Sequence, residues 1–348
     1  MSLPACPTQN FRTRSRRTAL SSIALALLLS ALVGCRKDQV PTAPAVSSAQ
    51  RAVAEDKTSS VTFTTIDPPG SNGVFTNPID INDRGEIVGL YNSAPDARRH
   101  GFLRSEDGEY TTIDFPGSSA TNADGINPRG DIVGHAFVNG RRHGYLRNRS
   151  GQFTQIDFPG AKATLALGIS PRGDIVGMYC LTTPPPCSGL GNRTARGFLL
   201  SNGLFTTIQV PGALETHAFK INGRGQIVGS YVGVEGRSHL FLLSEGEFTT
   251  IDFPGAFENP SGGGTAGINA QGDIVSWYCE AAPCNPADIH GFLLSDGEFT
   301  RIDVPGHLDT GATGINSRGD IVGSYDLDAT HIIGFLRRSK EADRRHGQ

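Results

Sequence analysis

The chain has 348 residues, with 31 Lys and Arg against 34 Asp and Glu, and its formal net charge is −3. This mild acidity argues against nucleic-acid binding. The 44 Gly and 21 Pro are typical of a chain with many turns. Hydrophobic residues make up 37% of the chain, which is enough for a core if strands alternate between buried and exposed positions.

The N-terminal segment, residues 1–35, has the pattern of an export signal. Four arginines between positions 12 and 17 precede an apolar stretch, Ala19 to Val33, that is short for a membrane-spanning helix. The stretch ends in Leu-Val-Gly followed by Cys35 and resembles the bacterial lipobox. The resemblance implies cleavage before Cys35 and a diacylglycerol on its thiol. A plain secretory signal with a chance cysteine is the alternative.

The region after this signal predicts an anchored protein of the bacterial cell envelope. Residues 36–60 are rich in Pro, Ala, Ser and charge, which predicts a flexible tether. The expected membrane contact is the lipid anchor only. Residues 15–20 also partly resemble a twin-arginine export signal, so the export route stays open, as does the side of the outer membrane.

Six repeats dominate the rest of the chain. Each unit carries Phe-Thr-Thr-Ile-Asp, then Gly-Ile-Asn-x-Arg-Gly-Asp-Ile-Val-Gly, then His-Gly-Phe-Leu, with variations. Successive turn glycines are spaced by 43 to 52 residues: Gly85, Gly130, Gly173, Gly225, Gly272 and Gly319. Four strand-like segments separated by turn residues recur in each unit, which predicts a four-stranded antiparallel blade.

The ends of the repeat region indicate how the array is completed. The region begins with one such strand, Phe63 to Asp67, and its last unit ends at the third strand, Gly334 to Leu336. Pairing these two would remove the exposed edges of an open array. We therefore predict an all-β, six-bladed β-propeller over residues 61–338, closed by the N-terminal strand, with a disordered tail over 339–348. An open β-solenoid is the alternative.

The repeat motif resembles the HAF family of bacterial extracellular repeats. The shared features are Gly-Ile-Asn-x-x-Gly-x-Ile-Val-Gly and the downstream His-Gly-Phe, over roughly residues 61–338. This chain mostly has Gly where the family's name has Ala. The resemblance implies a repeat fold and an extracellular location, and it brings no activity with it.

The cysteines predict disulfides. Cys6 leaves with the signal, whereas Cys180 with Cys187, and Cys279 with Cys284, form two local pairs after the repeat tyrosine. Pairs of this kind in an exported protein favour disulfides. A zinc site of all four thiolates would require the third and fifth repeats to meet.

Several recurring residues are interpreted as structural. The aspartates that precede the Pro-Gly loops are expected to cap turns: Asp67, Asp114, Asp157, Asp252 and Asp303. The histidines that precede the third strand are expected to pack within the blade: His100, His143, His239 and His290. Three Arg-Gly-Asp tripeptides are read as turns of the repeat rather than receptor signals.

A single site must break the repeat, so residues that depart from it are the candidates for binding. Trp277 and Tyr278, beside the Cys279 loop, could form a stacking platform for a sugar, and His135 breaks the second repeat. The alternative for Trp277 is a rim aromatic that packs on its neighbour. No catalytic residue, metal site or cofactor is predicted.

These features predict a non-enzymatic binding propeller for an extracellular glycan or a protein partner, monomeric and lipid-anchored. One alternative is a secreted polysaccharide hydrolase or lyase with carboxylates in the central channel. Another is an envelope scaffold.

Overall fold

The computed structural model describes residues 53–55, 61–182, 194–257, 265–281, 284, 288–307, 309–328 and 330–338. The predicted signal peptide, most of the tether and the predicted tail lie outside this set. The described residues form β-strands and no α-helix. They accordingly include no helix with the length and hydropathy needed to cross a membrane.

The first three repeats each supply four consecutive antiparallel strands. Repeat 1 contains β3 (Ser71–Ile81), β4 (Ile87–Ser93), β5 (Arg99–Arg104) and β6 (Tyr110–Ile113). Repeat 2 contains β7 (Ala120–Ile126), β8 (Ile132–Val138), β9 (Arg141–Arg147) and β10 (Phe153–Ile156). Repeat 3 contains β11 (Ala163–Ile169), β12 (Ile175–Cys180), β13 (Arg196–Ser201) and β14 (Leu204–Ile208).

The other three repeats follow the same order. Repeat 4 contains β15 (Glu215–Ile221), β16 (Ile227–Val232), β17 (Ser238–Ser244) and β18 (Glu247–Thr250). Repeat 5 contains β19 (Gly267–Ile268), β20 (Ile274–Cys279), β21 (Ile289–Ser295) and β22 (Glu298–Ile302). Repeat 6 contains β23 (Thr310–Ile315), β24 (Ile321–Asp328) and β25 (His331–Arg338).

Two further strands come from the N-terminal side. β2 (Thr62–Ile66) pairs antiparallel with β25, with Thr62 opposite Arg338 and Ile66 opposite Gly334. It is therefore the fourth strand of repeat 6. β1 (Val53–Glu55) lies within the segment predicted as a tether and pairs in parallel with β22.

The sheets are less separate than the sequence predicts. Repeats 6, 1 and 2 are joined into one twelve-stranded mixed sheet. The joints are single parallel bridges, Arg99 to Ala120 and Phe75 to Ile332. They arise where the third strand of one repeat runs beside the first strand of the next for one residue.

The hydrophobic core lies between neighbouring repeats. The Val of each Ile-Val motif is fully buried: Val88, Val133, Val176, Val228, Val275 and Val322. Val133 clusters with Tyr179 and Phe198 of repeat 3, and Val322 clusters with Ile87 and Phe102 of repeat 1. The second strands are thus covered on both faces, which explains why Ile and Val fill them.

The recurring asparagine closes the turn in five of the six repeats, Ser170 takes its place in repeat 3, and several of these asparagines bridge to the next repeat. The Asn82 side-chain oxygen accepts hydrogen bonds from the backbone N–H groups of Arg84 (3.0 Å) and Glu86 (3.1 Å). Its amide donates to Asn127 O of repeat 2 at 3.1 Å. Asn316 of repeat 6 likewise donates to Asn82 O at 3.3 Å, so the last repeat contacts the first.

The Arg-Gly-Asp tripeptides lie within these turns, as predicted. Gly130 has a φ of 86°, a value that favours glycine. Arg129 donates to Asp131 Oδ2 at 3.0 Å and to Pro171 O of repeat 3. The arginine is thereby held against the next repeat.

Glycines in the first strands permit close approach between repeats, which leads to a prediction. A Cβ added at Gly168 would lie 2.5 Å from Phe219 O, whereas one at Gly223 would lie 3.6 Å from the Pro171 ring. Gly168→Ala is expected to lower the free energy of unfolding by about 1–3 kcal/mol, because backbone must move. Gly223→Ala is expected to change it by less than about 0.5 kcal/mol. Equal denaturation midpoints for the two variants would contradict this packing.

Candidate functional site

Four histidine–aspartate pairs recur at one position of the repeat. The ring nitrogen Nδ1 of His100, His143, His239 and His290 lies 2.7, 3.0, 2.6 and 2.9 Å from a carboxylate oxygen. The acids are Asp114, Asp157, Asp252 and Asp303. Each pair ties the third strand to the end of the fourth, which agrees with a structural interpretation of both residue types.

The pairing itself was missed from the sequence, although a signal was present. In repeat 3 the histidine is replaced by Arg196 and the aspartate by Gln209, so both members change together there, whereas repeat 6 keeps Asp67 and has Ile333 in the histidine position. For His239, the Asp252 hydrogen bond raises the pKa above its ordinary value. These pairs therefore identify the repeat rather than a site.

A buried ion pair joins repeats 1 and 4. Lys220 Nζ lies 3.3 Å from Asp80 Oδ2 and donates to the carbonyls of Leu167 (3.1 Å) and Asp124. The Lys220 and Asp80 side chains are only 6% and 14% exposed. Burial raises the pKa of Asp80, and Lys220 opposes that increase. The other four repeats have Gly at this position: Gly125, Gly168, Gly267 and Gly314.

A cavity of about 240 Å³ lies beside this ion pair; we call it pocket I. Repeats 1 and 2 supply its polar wall: Asn77, Arg99, Asn122, Asp124, His135 and Arg142. Residues of repeats 1, 3 and 4 supply its apolar wall: Phe75, Leu165, Leu167, Met178 and Phe219. Lys220 and Thr265 also line it, together with Ile79 and Leu90.

The polar wall contains His135, one of the residues singled out by the sequence. His135 Nδ1 lies 2.7 Å from Asp124 Oδ2, and their side chains are 15% and 8% exposed. Two guanidinium groups share the same wall. Burial is the main cause that lowers the pKa of Arg142, and the charge of Arg99 lowers it further. The Asp124 carboxylate acts in the opposite direction and raises the Arg142 pKa.

A second cavity, pocket II, has a volume of about 330 Å³ and adjoins pocket I through Asn77 and Thr265. Trp277, Asp309 and Asp326 line it. Trp277 is partly buried, and a Cβ on Gly311 would lie 3.8 Å from its ring. The Asn77 side-chain oxygen is buried and has no hydrogen-bond partner among the described residues. A buried hydrogen-bond acceptor that lies between two cavities is suited to accept a hydrogen bond from a ligand.

Trp277 and Tyr278 do not form the joint platform that the sequence suggested. Side chains alternate along β20, so Tyr278 points to the opposite face, where it is 2% exposed. Its ring stacks on Phe253 at 3.7 Å, and burial raises the pKa of its hydroxyl. Tyr278 therefore belongs to the core, and Trp277 alone of the two lines a cavity.

The described cysteines that follow the repeat tyrosines are disulfide-bonded. Cys279 and Cys284 form a disulfide, as predicted. Cys180 is disulfide-bonded as well. Its predicted partner, Cys187, lies outside the described residues, as does the presumed lipid site, Cys35.

Pocket II contains a pair of interacting carboxyl groups. Burial, together with Asp326, raises the pKa of Asp309 from 3.8 to about 7. Because this folded pKa exceeds the unfolded value, the carboxyl destabilises the fold increasingly as pH rises from about 4 to about 7.

Asp309→Asn is expected to remove the loss of stability that the Asp309 carboxyl causes as pH rises. At pH 8 the variant should exceed the wild type in free energy of unfolding by roughly 1–2 kcal/mol after solvent screening, and at pH 4 the two should be similar. Asp328→Asn is the control, because bonds from His331 and Thr330 lower the Asp328 pKa to about 2 and predict no such gain. Urea denaturation at both pH values makes the comparison. A less stable Asp309→Asn variant at pH 8 would contradict the assignment.

Among the described residues, no group of three or more His, Cys, Asp or Glu side chains is arranged to hold a metal ion. No family model matches the chain, and no curated protein matches it.

Several solved structures are similar in fold. The β-propeller domain of the Trilobed protease from Pyrococcus furiosus has a TM-score of 0.48 at 11% identity, over 82% of this chain and 93% of that one. A mutant Aleuria aurantia lectin in complex with Fucα1-6GlcNAc has a TM-score of 0.47 at 12% identity, over 76% and 93%. Virginiamycin B lyase from Staphylococcus aureus has a TM-score of 0.45 at 14% identity, over 79% and 98%.

Proposed function

We propose that the chain is an exported, lipid-anchored, six-bladed β-propeller that binds an acidic carbohydrate in pocket I. The observation that carries the proposal is the asymmetry of this cavity. Among the described lining residues, repeat 2 supplies only polar side chains and repeat 3 only apolar ones, although the repeats otherwise share one motif. A lining that combines apolar side chains with a few polar ones is typical of a ligand pocket.

The closed ring is supported by contacts between the two ends of the array. Repeat 6 takes its fourth strand from the N-terminal side, and its Asn316 bonds to Asn82 of repeat 1. The Lys220–Asp80 pair joins the first and fourth repeats, which would face one another across a ring of six. An ion pair at the centre of the ring would block its central channel. Pocket I would then be open at one end only.

The charge of pocket I favours an anionic ligand. Arg99 and Arg142 repel one another, and a carboxylate between them would relieve that repulsion while accepting paired N–H bonds. The two guanidinium groups on the wall outnumber its one described carboxylate, Asp124, and the charge of Asp80 is compensated by Lys220. Sugar hydroxyls have partners in Asn77 and Asn122, and the apolar face of a sugar ring would rest on Leu165 and Met178.

The alternatives have less support. A hydrolase with two carboxylates needs a pair that flanks the bond. Asp124 is the one carboxylate among the described residues that line pocket I, and Asp309 and Asp326 of pocket II are hydrogen-bonded to each other. A protein partner or scaffold role would not require an asymmetric cavity. A glycan chain that continues past the first sugar could extend toward Trp277 in pocket II.

Lipid anchoring through Cys35 is a separate part of the proposal. Cys35→Ser is expected to move the protein from the membrane fraction to the soluble fraction, because the thiol that would carry the diacylglycerol is lost. Fractionation of cells that express either form, with immunoblotting, gives the result. Equal membrane association of both forms would contradict the anchor.

The ligand class is tested by calorimetric titration of the purified chain with galacturonate oligomers and with neutral galactose oligomers. We expect binding of the acidic series only, weakened by salt. Arg142→Gln should weaken it at least tenfold, the equivalent of about 1.4 kcal/mol. Arg224→Gln is the matched control, since Arg224 bonds to Gln271 O and does not line pocket I. Equal binding of both series, or no effect of Arg142→Gln, would contradict the proposal.

A further inference from the structure

One histidine–aspartate pair departs from the repeat. The four recurring pairs join the third and fourth strands of their repeats. His135 lies on the second strand of repeat 2 and Asp124 on the first. The equivalents of His135 in other repeats are chemically unrelated: Leu90, Met178, Ser230, Trp277 and Ser324. The repeat fold therefore does not require this pair.

The pair has the hydrogen bond that joins a histidine base to its positioning acid. Asp124 accepts a hydrogen bond from Nδ1 of His135 at 2.7 Å, which assigns the ring proton to Nδ1 and leaves the lone pair on Nε2. Asp124 also fixes the plane of the ring and stabilises the imidazolium that would form. Both side chains are largely buried, and both line pocket I.

The same cavity contains groups that would make a carbon acid reactive. Removing a proton from the carbon next to a carboxylate builds negative charge on that carboxylate. Arg142 and Arg99 are placed on the wall of pocket I to hold and neutralise it. Leu165, Leu167 and Met178 line the same cavity, and an apolar lining strengthens this electrostatic effect.

We propose that pocket I catalyses β-elimination in a uronate-containing polysaccharide, with His135 as the base; this rests on the acidic-carbohydrate ligand proposed above. His135 Nε2 takes the proton from the carbon that bears the carboxylate. The C–H electron pair forms a C=C bond, and the glycosidic C–O bond on the adjacent carbon breaks. The leaving oxygen then takes the proton back from the imidazolium. Atoms and electrons balance without an oxidant, a reductant or water.

In this reaction His135 is the catalytic residue, and Arg142 binds the reacting group. Asp124 is a positioning residue, because it acts through His135. Elimination needs one base and one neutralised carboxylate, which matches the residues on the polar wall. Hydrolysis needs a second carboxylic acid.

The test uses the full chain with polygalacturonate and, as a neutral control, dextran. The readouts are ultraviolet absorbance of the conjugated unsaturated product, new reducing ends, and calorimetric binding. We expect both absorbance and reducing ends from polygalacturonate alone. His135→Gln should lower the turnover number roughly 10²- to 10⁴-fold with binding retained. The matched control is His143→Gln, which changes a recurring histidine of similar burial (14% exposed) that does not line pocket I and should leave turnover unchanged.

Asp124→Asn should lower the turnover number with little change in KM and should alter the acid limb of the pH–rate profile, which a purely structural role would not do. Binding of polygalacturonate without ultraviolet absorbance from an unsaturated product would overturn the proposed elimination. The proposal that the ligand is an acidic carbohydrate would still stand. Turnover that survives His135→Gln would also overturn it. Absence of both binding and turnover would contradict the ligand as well. Circular dichroism and melting temperature show that each variant is folded.

Discussion

Replacing Lys220 by methionine is expected to lower the free energy of unfolding by about 3–5 kcal/mol. The change leaves the Asp80 carboxylate buried without its cation and removes bonds to the carbonyls of Asp124 and Leu167. The loss should be smaller at pH 4.5 than at pH 7.5. Burial already raises the Asp80 pKa, and without Lys220 it would rise further, so the acid would be neutral in the folded variant at low pH.

The double variant Asp80→Asn, Lys220→Met separates the charge from the packing. It should recover a substantial part of the stability lost in Lys220→Met, because replacing both members of a buried pair costs less than removing one. Denaturant unfolding of the wild type, both single variants and the double variant gives the coupling energy. Additive effects of the two single changes would contradict a direct interaction between repeats 1 and 4.

Removing residues 61–68 is expected to be the most damaging change to the fold. It takes away β2, exposes the backbone of β25 and removes Ile66, which is fully buried. Ile66 clusters with Val322 and Leu336 of repeat 6 and with Ile87 of repeat 1. The deletion therefore opens the boundary between the two ends of the array, and we expect cooperative folding to be lost at ordinary temperatures.

A milder variant keeps this prediction measurable if the deletion does not fold. Ile66→Ala should cost about 2–5 kcal/mol through the cavity it leaves. Thr64→Ala, on the same strand but exposed, should cost less than about 1 kcal/mol. An unchanged melting temperature in the deletion, or equal effects of the two point changes, would show that β2 does not complete repeat 6.

Local patterns predicted much of the fold. Period-two alternation and turn residues located four strands per repeat, and the unpaired strand at each end predicted the β2–β25 pairing. The Asn-x-Arg-Gly motif predicted a turn, and the motif or its variant forms one in each repeat, with hydrogen bonds such as that from Arg84 N to Asn82 Oδ1. These features depend on residues close in sequence, so the sequence carries them directly.

The candidate site was less accessible to sequence reasoning. Asp80 and Lys220 are 140 residues apart and contact only because the first strands of all repeats converge. His135 was identified as a departure from the repeat, but its partner Asp124 was not, since an acid in a first strand has no local signature. Strand parity could have shown that adjacent Trp277 and Tyr278 face opposite sides. The joining of repeats 6, 1 and 2 into one mixed sheet depends on single bridges that no pattern marks.

We propose that one asymmetric pocket on a repeated scaffold selects acidic carbohydrate. The most direct measurement is a polysaccharide array probed with the wild type and with Arg142→Gln, scored for both retention and new reducing ends. The wild type should be retained on uronate-containing polymers and not on neutral ones, and Arg142→Gln should lose this retention. Equal retention on neutral polymers, or undiminished retention of the variant, would contradict it.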